Sequence, residues 1–203
     1  RWLLGGTLLN CFKEGFVSVS IGHLLGLTEV GVLRAVQQLV LIINIPLFVM
    51  HNIVPVPASV AYNDGGFSGL LGYIRGFALP YFVFLCLLLL GIGASGEQLL
   101  HLVYGKAYAG YGHLVLVYAL IMIIFLARDF LALLIKTVES TDFDFYASGL
   151  GVLVTLILLY PLVRAFGLGG AMATEAVMQA TMLLVIVWGL RGHWQARLPT
   201  GGP

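Results

Sequence analysis

Residues 67–94, FSGLLGYIRGFALPYFVFLCLLLLGIGA, form an apolar run in which Arg75 is the only charged residue. A bilayer core about 30 Å thick is crossed by a helix of roughly 20 apolar residues, so this run is long enough to span a membrane. The composition of the whole chain agrees, because 60% of its residues are hydrophobic and 9% are charged, whereas soluble domains carry about 25% charged residues. The sequence therefore predicts an integral membrane protein.

Five further runs of similar length lie along the 203 residues, separated by clusters of Gly, Pro and charged residues. These runs are continuous, and they are too long for the short alternating strands of a membrane β-barrel. We therefore predict an all-α fold, a polytopic helical bundle in which residues 1–203 form a single transmembrane domain. The six predicted spans are residues 2–25, 29–61, 67–94, 110–136, 145–165 and 168–190.

Glycine and polar clusters mark the connections between these spans. Turns are predicted at Gly26, at residues 62–66 (YNDGG), at 138–144 (VESTDFD) and at 166–170 (FGLGG). Residues 95–112 (SGEQLLHLVYGKAYAGYG) make the longest connection. This connection is predicted to be irregular, with room for one turn at the membrane interface.

The distribution of Lys and Arg predicts the orientation of the bundle, because cytoplasmic loops are enriched in both residues. With a cytoplasmic N-terminus, Lys106 and Arg164 fall on the outer side and five basic residues fall on the inner side. Those five are Arg1, Arg75, Lys136, Arg191 and Arg197. Both termini of this segment are therefore predicted to be cytoplasmic. Because the chain begins with Arg and shows no signal-peptide cleavage site, we expect it to lack an N-terminal portion.

Several functions are disfavoured by the residue types that the sequence lacks. A net charge of +1 without a polybasic run argues against a nucleic-acid partner. The sequence shows no Ser/His/Asp set, no paired acids and no phosphate-binding Gly-rich loop, so neither an enzyme nor a bound cofactor is expected. Cys11 and Cys86 lie in apolar runs and are interpreted as small buried hydrophobes. The five histidines have no metal-ligand spacing.

Polar side chains nevertheless follow one face of the first span. Lys13 and Glu14 lie in an apolar run and, together with Thr7, Asn10 and Ser18, fall within an arc of about 140° on a helix. A charge at the bilayer centre costs about 2.5–3.5 kcal/mol. This face is therefore expected to meet other helices or water rather than lipid.

The second span carries a similar polar face, also about 140° wide. Its members are Arg34, Gln37, Gln38, Asn44, His51 and Asn52. Two polar faces on consecutive helices predict a hydrated cavity. The candidate substrate-binding residues in this cavity are Lys13, Glu14, Arg34, Gln37, Gln38 and Asn44. Glu175 and Gln179, one turn apart in the last span, form a weaker polar face.

These residues also have structural interpretations. Lys13 and Glu14 are explained as well by ion pairs with other helices, and Arg34 by snorkelling of its side chain to the lipid headgroups. The amides of the second span suit hydrogen bonds between helices, and Glu175 suits a packing contact. Four residues near the predicted inner surface are interpreted as interfacial anchors: Arg75, Arg128, Asp129 and Lys136.

Three stretches resemble the polysaccharide and O-antigen flippase branch of the multidrug/oligosaccharidyl-lipid/polysaccharide (MOP) exporter superfamily. They are LLGLTEVGVLRAVQQLV (24–40), LVYGKAYAGYG (102–112) and FGLGGAMATEAV (166–177), in the order of the family. The sequence departs from the family at Leu33, where an aromatic residue is usual, and in the short connection at Asp64. The resemblance implies the C-terminal six-helix lobe of a two-lobe, MATE-like transporter whose N-terminal lobe is missing here.

The resemblance also implies a function, the flipping of a polyprenyl-diphosphate-linked oligosaccharide across the inner (cytoplasmic) membrane in polysaccharide or lipopolysaccharide O-antigen biosynthesis. Membrane lipids and a coupling cation, H⁺ or Na⁺, are the further partners that it implies. In this scheme Lys13 and Arg34 bind the diphosphate, Glu14 tunes Lys13 or binds the cation, and the glycan is bound by Gln37, Gln38 and Asn44.

Competing functions stay open at the level of the sequence. They are a multidrug/cation antiporter or a peptidoglycan-precursor flippase of the same superfamily, and a non-transporting membrane scaffold or enzyme subunit. A cavity for cationic drugs is expected to be rich in acids, whereas the two polar faces together hold the bases Lys13 and Arg34 and the acid Glu14. This balance favours an anionic substrate.

Overall fold

The computed structural model describes residues 15–136 and 142–197, and the elements in these two ranges are all helical. The described part of the first helix, α1, is Gly15–Leu24. The helices that follow are α2 (Leu27–Val40), α3 (Asn44–Ile53), α4 (Pro55–Tyr73), α5 (Leu79–Ala94), α6 (Gly96–Tyr104), α7 (Gly112–Lys136), α8 (Asp142–Phe166) and α9 (Leu168–Arg197). For the described residues, the prediction of an all-α fold is confirmed.

Five stretches of these helices are long and apolar enough to cross a membrane. They are Leu27–Gly66, Ser68–Ala94, Gly112–Leu133, Ala147–Phe166 and Leu168–Trp188. The protein is therefore a multi-pass membrane protein, and these stretches correspond to the last five predicted spans. Of the first predicted span, 2–25, the described part is α1, which is shorter than the roughly 20 residues that a span needs. A total of six spans stays a prediction.

The stretch Leu27–Gly66 is one long, bent helix that contains α2, α3 and most of α4. Pro46 has no N–H for the carbonyl four residues earlier and crowds that carbonyl, and the helix tightens into a 3₁₀ turn at Leu41–Ile43 just before it. The helix ends at a kink inside α4, at Gly66, whose φ of +57° is a conformation that glycine adopts without a steric penalty. This break lies inside the predicted YNDGG turn.

Pro80 has a similar effect on the next span. The five residues Ile74–Ala78 form a π-helical turn directly before α5, as expected where a proline interrupts the regular hydrogen-bond ladder. Tyr81, the residue after Pro80, donates a hydrogen bond from its hydroxyl to the carbonyl oxygen of Pro46 (2.8 Å). The two proline-perturbed regions are thus in contact, and this contact ties α5 to α3.

Helix α6 occupies the connection that the sequence predicts to be irregular, and that prediction is wrong. The nine residues Gly96–Tyr104 are fewer than the roughly 11 to 18 residues over which a helical period is read. Glu97 accepts hydrogen bonds from the backbone N–H groups of Gly110 (2.7 Å) and Gly112 (2.8 Å). These two bonds hold the pKa of the Glu97 carboxyl below its usual value, and they tie α6 to the start of α7.

The two last helices pack against each other most closely. Gly167, with φ +59°, turns the chain between α8 and α9, where the FGLGG cluster predicts a turn. A Cβ atom on Gly170 would lie 1.9 Å from the carbonyl oxygen of Leu162, so the two helix backbones approach each other directly. Further along, apolar side chains fill their contact with α7: Ala132, Ala147, Met178, Met182 and Ile186.

The main core lies between the long helix Leu27–Gly66 and the helices α5 and α7. From α2 to α3 the buried core side chains lie on one side of the helix: Val32, Leu33, Ala35, Val36, Val40, Ile43, Leu47 and Met50. At 100° per residue this side points away from Arg34. The part of the predicted polar face around Arg34 is therefore turned outward from the bundle, whereas His51, at the edge of that face, contacts α7.

Candidate functional site

Arg34 is the centre of the polar face on α2. Its guanidinium donates one hydrogen bond to Ser18 Oγ on α1 (2.6 Å) and another to Gln37 Oε1 one turn further along α2 (3.3 Å). The turn at Gly26, with φ +101°, folds α1 back beside α2 and so brings Ser18 and Arg34 together. The polar faces that the sequence predicts on the first two spans thus meet at this contact.

Among the described residues, these bonds orient the charge of Arg34 without neutralising it, because both acceptors are uncharged. A guanidinium has five N–H donors, and the two bonds use two of them. The side chain is exposed on the surface of the described residues. Such a group is suited to bind an anion, and the planar guanidinium matches phosphate oxygens in a bidentate way.

The exposed face around Arg34 is amphipathic. The amides Gln38 and Asn44 are exposed on it, in agreement with the helical projection of the sequence. Large apolar side chains share the same exposed side: Leu41, Ile45 and Phe48. The face is therefore not the uninterrupted polar stripe that a projection of the polar residues alone suggests.

The six predicted binding residues divide into three groups. Arg34 and Gln37 are bonded to each other, and Gln38 and Asn44 lie on the same exposed face without taking part in that bond. The two remaining residues, Lys13 and Glu14, lie outside the described residues. Their place in a common cavity stays a prediction.

A second polar contact, which is not predicted from the sequence, joins α3 to α7. His51 Nε2 and Asp129 Oδ2 are 2.5 Å apart, and both residues belong to stretches that can span a membrane. Asp129, interpreted from sequence as an interfacial anchor, is 17% exposed and bonds another helix. An acid inside an apolar span is a signal that singles out Asp129. Its partner, His51, is 78 positions away and is predicted to belong to the polar face of the second span, but no pattern in the sequence pairs the two residues.

The neighbouring basic residue, Arg128, also packs inside the bundle. Its guanidinium carbon lies 4.7 Å from the centre of the Phe125 ring, a cation–π distance. One guanidinium nitrogen lies 3.2 Å from Met182 Sδ on α9. The side chain is half-buried. Arg128 therefore packs against other side chains of the bundle and is not only the interfacial anchor proposed from sequence.

The third polar contact lies within α9. Gln179 Nε2 donates a hydrogen bond to Glu175 Oε1 (2.9 Å), as their spacing of one turn allows. Gln179 is 6% exposed, and its Oε1 has no hydrogen-bond partner among the described residues. The carbonyl of this amide is therefore a buried acceptor that lacks a donor.

The described ranges 15–136 and 142–197 contain no group of three or more His, Cys, Asp or Glu side chains that could hold a metal ion. The chemistry of the polar contacts in these ranges is that of single charges held by neutral or oppositely charged neighbours. Binding and translocation of an ion or a polar headgroup suit such contacts.

Comparison of the chain with protein-family models, with curated proteins and with solved structures finds no significant match in any of the three. The resemblance to the MOP exporter superfamily therefore rests on the three sequence stretches alone and stays a prediction.

Proposed function

We propose that this chain is part of a membrane transporter that flips a polyprenyl-diphosphate-linked oligosaccharide. The observation that carries the proposal is the exposed amphipathic face of α2 and α3, on which Ser18 and Gln37 orient the Arg34 guanidinium. The order of the three family-like stretches supports the same assignment.

The substrate class follows from the chemistry of this face. A diphosphate needs a cation, which Arg34 supplies, and phosphate oxygens fit the guanidinium fork. A glycan needs amide partners, and two are exposed on this face: Gln38, one turn from Arg34, and Asn44, about 15 Å from Arg34 along the helix. A polyprenyl chain needs apolar contact, which Ile45 and Phe48 offer, each 70% exposed. One face thus presents the three chemistries that one lipid-linked oligosaccharide combines.

Translocation requires that the headgroup cross the membrane without losing its polar contacts. In the proposed transporter, Arg34 holds the diphosphate and the amides hold the first sugars while one part of the protein rocks against another. Lys13 and Glu14, which lie outside the described residues, are predicted from the sequence to complete the cavity. Proline-perturbed turns before Pro46 and Pro80 give the helices behind this face places at which they can bend.

The experiment uses the complete gene product in cells of the source organism that lack the chromosomal gene. Arg34→Ala and Arg34→Lys are compared with wild type for surface glycan and for accumulated lipid-linked precursor, at matched membrane levels. Because a charged hydrogen bond contributes about 1.5–3 kcal/mol, both variants are expected to lower export about 10- to 100-fold. Arg164→Lys on α8, whose side chain is exposed, is the matched control and should export normally.

The outcomes separate the competing functions. Full export by Arg34→Lys shows that a positive charge at this site is sufficient and supports a snorkelling side chain. Unchanged surface glycan together with loss of resistance to cationic drugs supports an antiporter. Normal glycan and normal drug resistance in cells that lack the gene contradict both transport functions.

A further inference from the structure

Glu175 lies at the middle of the buried face of α9. At 100° per residue it falls within about 40° of a set of side chains that are themselves buried: Leu168, Gln179, Met182 and Ile186. It belongs to the stretch Leu168–Trp188, which is long enough to cross a membrane. A half-buried carboxyl group thus lies on the face of α9 that packs against α7 and α8. It does not lie on the lipid-facing side of the helix.

Gln179 holds this carboxyl group by one hydrogen bond and has a second group unused. The amide N–H bonds Glu175 Oε1, whereas the amide Oε1 is buried and lacks a donor among the described residues. A buried unsatisfied carbonyl is costly. A proton on the neighbouring carboxyl group would remove that cost, because a carboxylic acid has the O–H donor that a carboxylate lacks.

The charged surroundings of Glu175 come from the two helices packed on α9. On α7, Arg128 reaches this interface at Met182, two turns or about 10 Å along α9 from Glu175. Asp129 is engaged by His51 of α3. Within residues 112–133 of α7 and 147–166 of α8, the other titratable side chains are His113, Tyr118, Tyr160 and Arg164. The hydrogen-bond partner of the Glu175 carboxyl group is the amide of Gln179. An amide has both a donor and an acceptor, so it can bond the carboxyl group in either protonation state.

We propose that Glu175 is a proton-binding site inside the membrane, and that Gln179 holds its carboxyl group in both protonation states. The ionised carboxylate accepts the N–H bond that the structure shows. On protonation, a hydronium ion transfers its proton to the free carboxylate oxygen and leaves as water. The new O–H then donates to Gln179 Oε1, so that acid and amide exchange two hydrogen bonds. The role of this proton in coupling rests on the proposed transport function, whereas its binding does not.

Infrared difference spectroscopy of the complete protein in lipid nanodiscs tests the binding site. Lowering the pH is expected to produce the C=O band of a buried protonated carboxyl group in wild type. Glu175→Gln should lose this band, and Gln179→Leu should keep it at a shifted frequency, because the carbonyl of the acid loses its N–H donor. Asp64→Asn, at an exposed position, is the matched control and should keep the wild-type band.

Circular dichroism establishes that each variant is folded, and Glu175→Asp, which keeps a carboxyl group at a shorter reach, should shift the band as well. A band that persists in Glu175→Gln, or that keeps its wild-type frequency in Gln179→Leu and Glu175→Asp, overturns the proposal. The infrared spectra report proton binding whether or not the protein transports a substrate. If they behave as expected while the complete protein does not export lipid-linked oligosaccharide, the proposed function fails and the proton site stands.

Discussion

Among the charged side chains of the membrane-spanning stretches, Arg34, Asp129 and Glu175 are each held by a polar neighbour. The partners are Ser18 and Gln37 for Arg34, His51 for Asp129, and Gln179 for Glu175. An unpartnered charge at the bilayer centre costs about 2.5–3.5 kcal/mol, so these bonds explain how apolar helices tolerate the charges. Two of the three contacts also join different helices and therefore position one helix against another.

The contact between His51 and Asp129 is expected to stabilise the packing of α3 on α7. His51→Ala and Asp129→Ala should each lower the free energy of unfolding, and the double variant should lose less than the sum of the two. Hydrogen bonds between membrane helices have coupling energies of about 0.6 kcal/mol on average and up to about 1.7. The measurement is a double-mutant cycle by unfolding in detergent. The pair His101→Ala and Asp129→Ala is the control, and equal coupling in both cycles would contradict the assignment.

At the scale of the helices, glycines decide which backbones can approach each other. Gly170 lies against Leu162 of α8, whereas a Cβ atom on Gly169 would meet nothing within 4 Å. The two neighbours therefore separate the effect of close packing from the effect of helix propensity. On the other side of the bundle, Glu97 ties α6 to the start of α7 through backbone N–H groups.

Gly170→Ala should destabilise the α8–α9 hairpin, because the added methyl group would overlap the carbonyl oxygen of Leu162. Overpacking of this kind costs about 1–3 kcal/mol. Gly169→Ala has space for its methyl group and should be neutral or stabilising by up to about 1 kcal/mol, since alanine favours helix. The free energies of unfolding of the two variants test this directly. Equal effects would show that α8 and α9 are further apart than the structure has them.

The Glu97 contact should depend on pH in a defined direction. The folded pKa of Glu97 lies below its ordinary value of 4.5, so the carboxylate contributes stability above that pH and loses it as the pH falls through the lower folded pKa. Hydrogen exchange at Gly110 and Gly112, corrected for intrinsic rates, should be slow at neutral pH and accelerate on acidification. Glu97→Gln should exchange fast throughout, with Glu29→Gln as control. Exchange rates at Gly110 and Gly112 that change neither on acidification nor in Glu97→Gln would contradict the contact.

At the scale of the whole molecule, the core turns the apolar face of α2 and α3 inward and the Arg34 face outward. The outward face of α8 is exposed as well, and its middle is apolar, with Leu153 at 56% and Ile157 at 69%. Tyr160 and Arg164 follow on the same side nearer the end of α8. The middle of this face thus differs in chemistry from the Arg34 face, over which a hydrated cavity is expected.

Cysteine labelling of the complete protein distinguishes water from lipid on these faces. In a background without Cys11 and Cys86, Gln38→Cys and Asn44→Cys should react with a membrane-impermeant maleimide. Leu153→Cys and Ile157→Cys should stay unmodified, because the hydrocarbon core excludes a charged reagent. If Gln38→Cys and Asn44→Cys are as unreactive as the α8 positions, the Arg34 face lies against lipid and the cavity is contradicted.

The sequence by itself determined the membrane class, the last five spans and the turns at Gly26, Gly66 and Gly167, because run length and glycine placement act locally. It also placed Arg34 with Gln37 and Glu175 with Gln179 on common helix faces one turn apart, and the structure shows a hydrogen bond within each pair.

Only the tertiary structure decided what depends on the packing of distant segments. The bond from Arg34 to Ser18 crosses 16 positions, and the contact of His51 with Asp129 crosses 78. Helix α6 likewise depends on its contact with α7, because its nine residues are too few for a helix that is stable alone in water. Helical periodicity says which residues share a face, but the facing helix, and hence the partner of each charge, is set by which apolar faces bury each other.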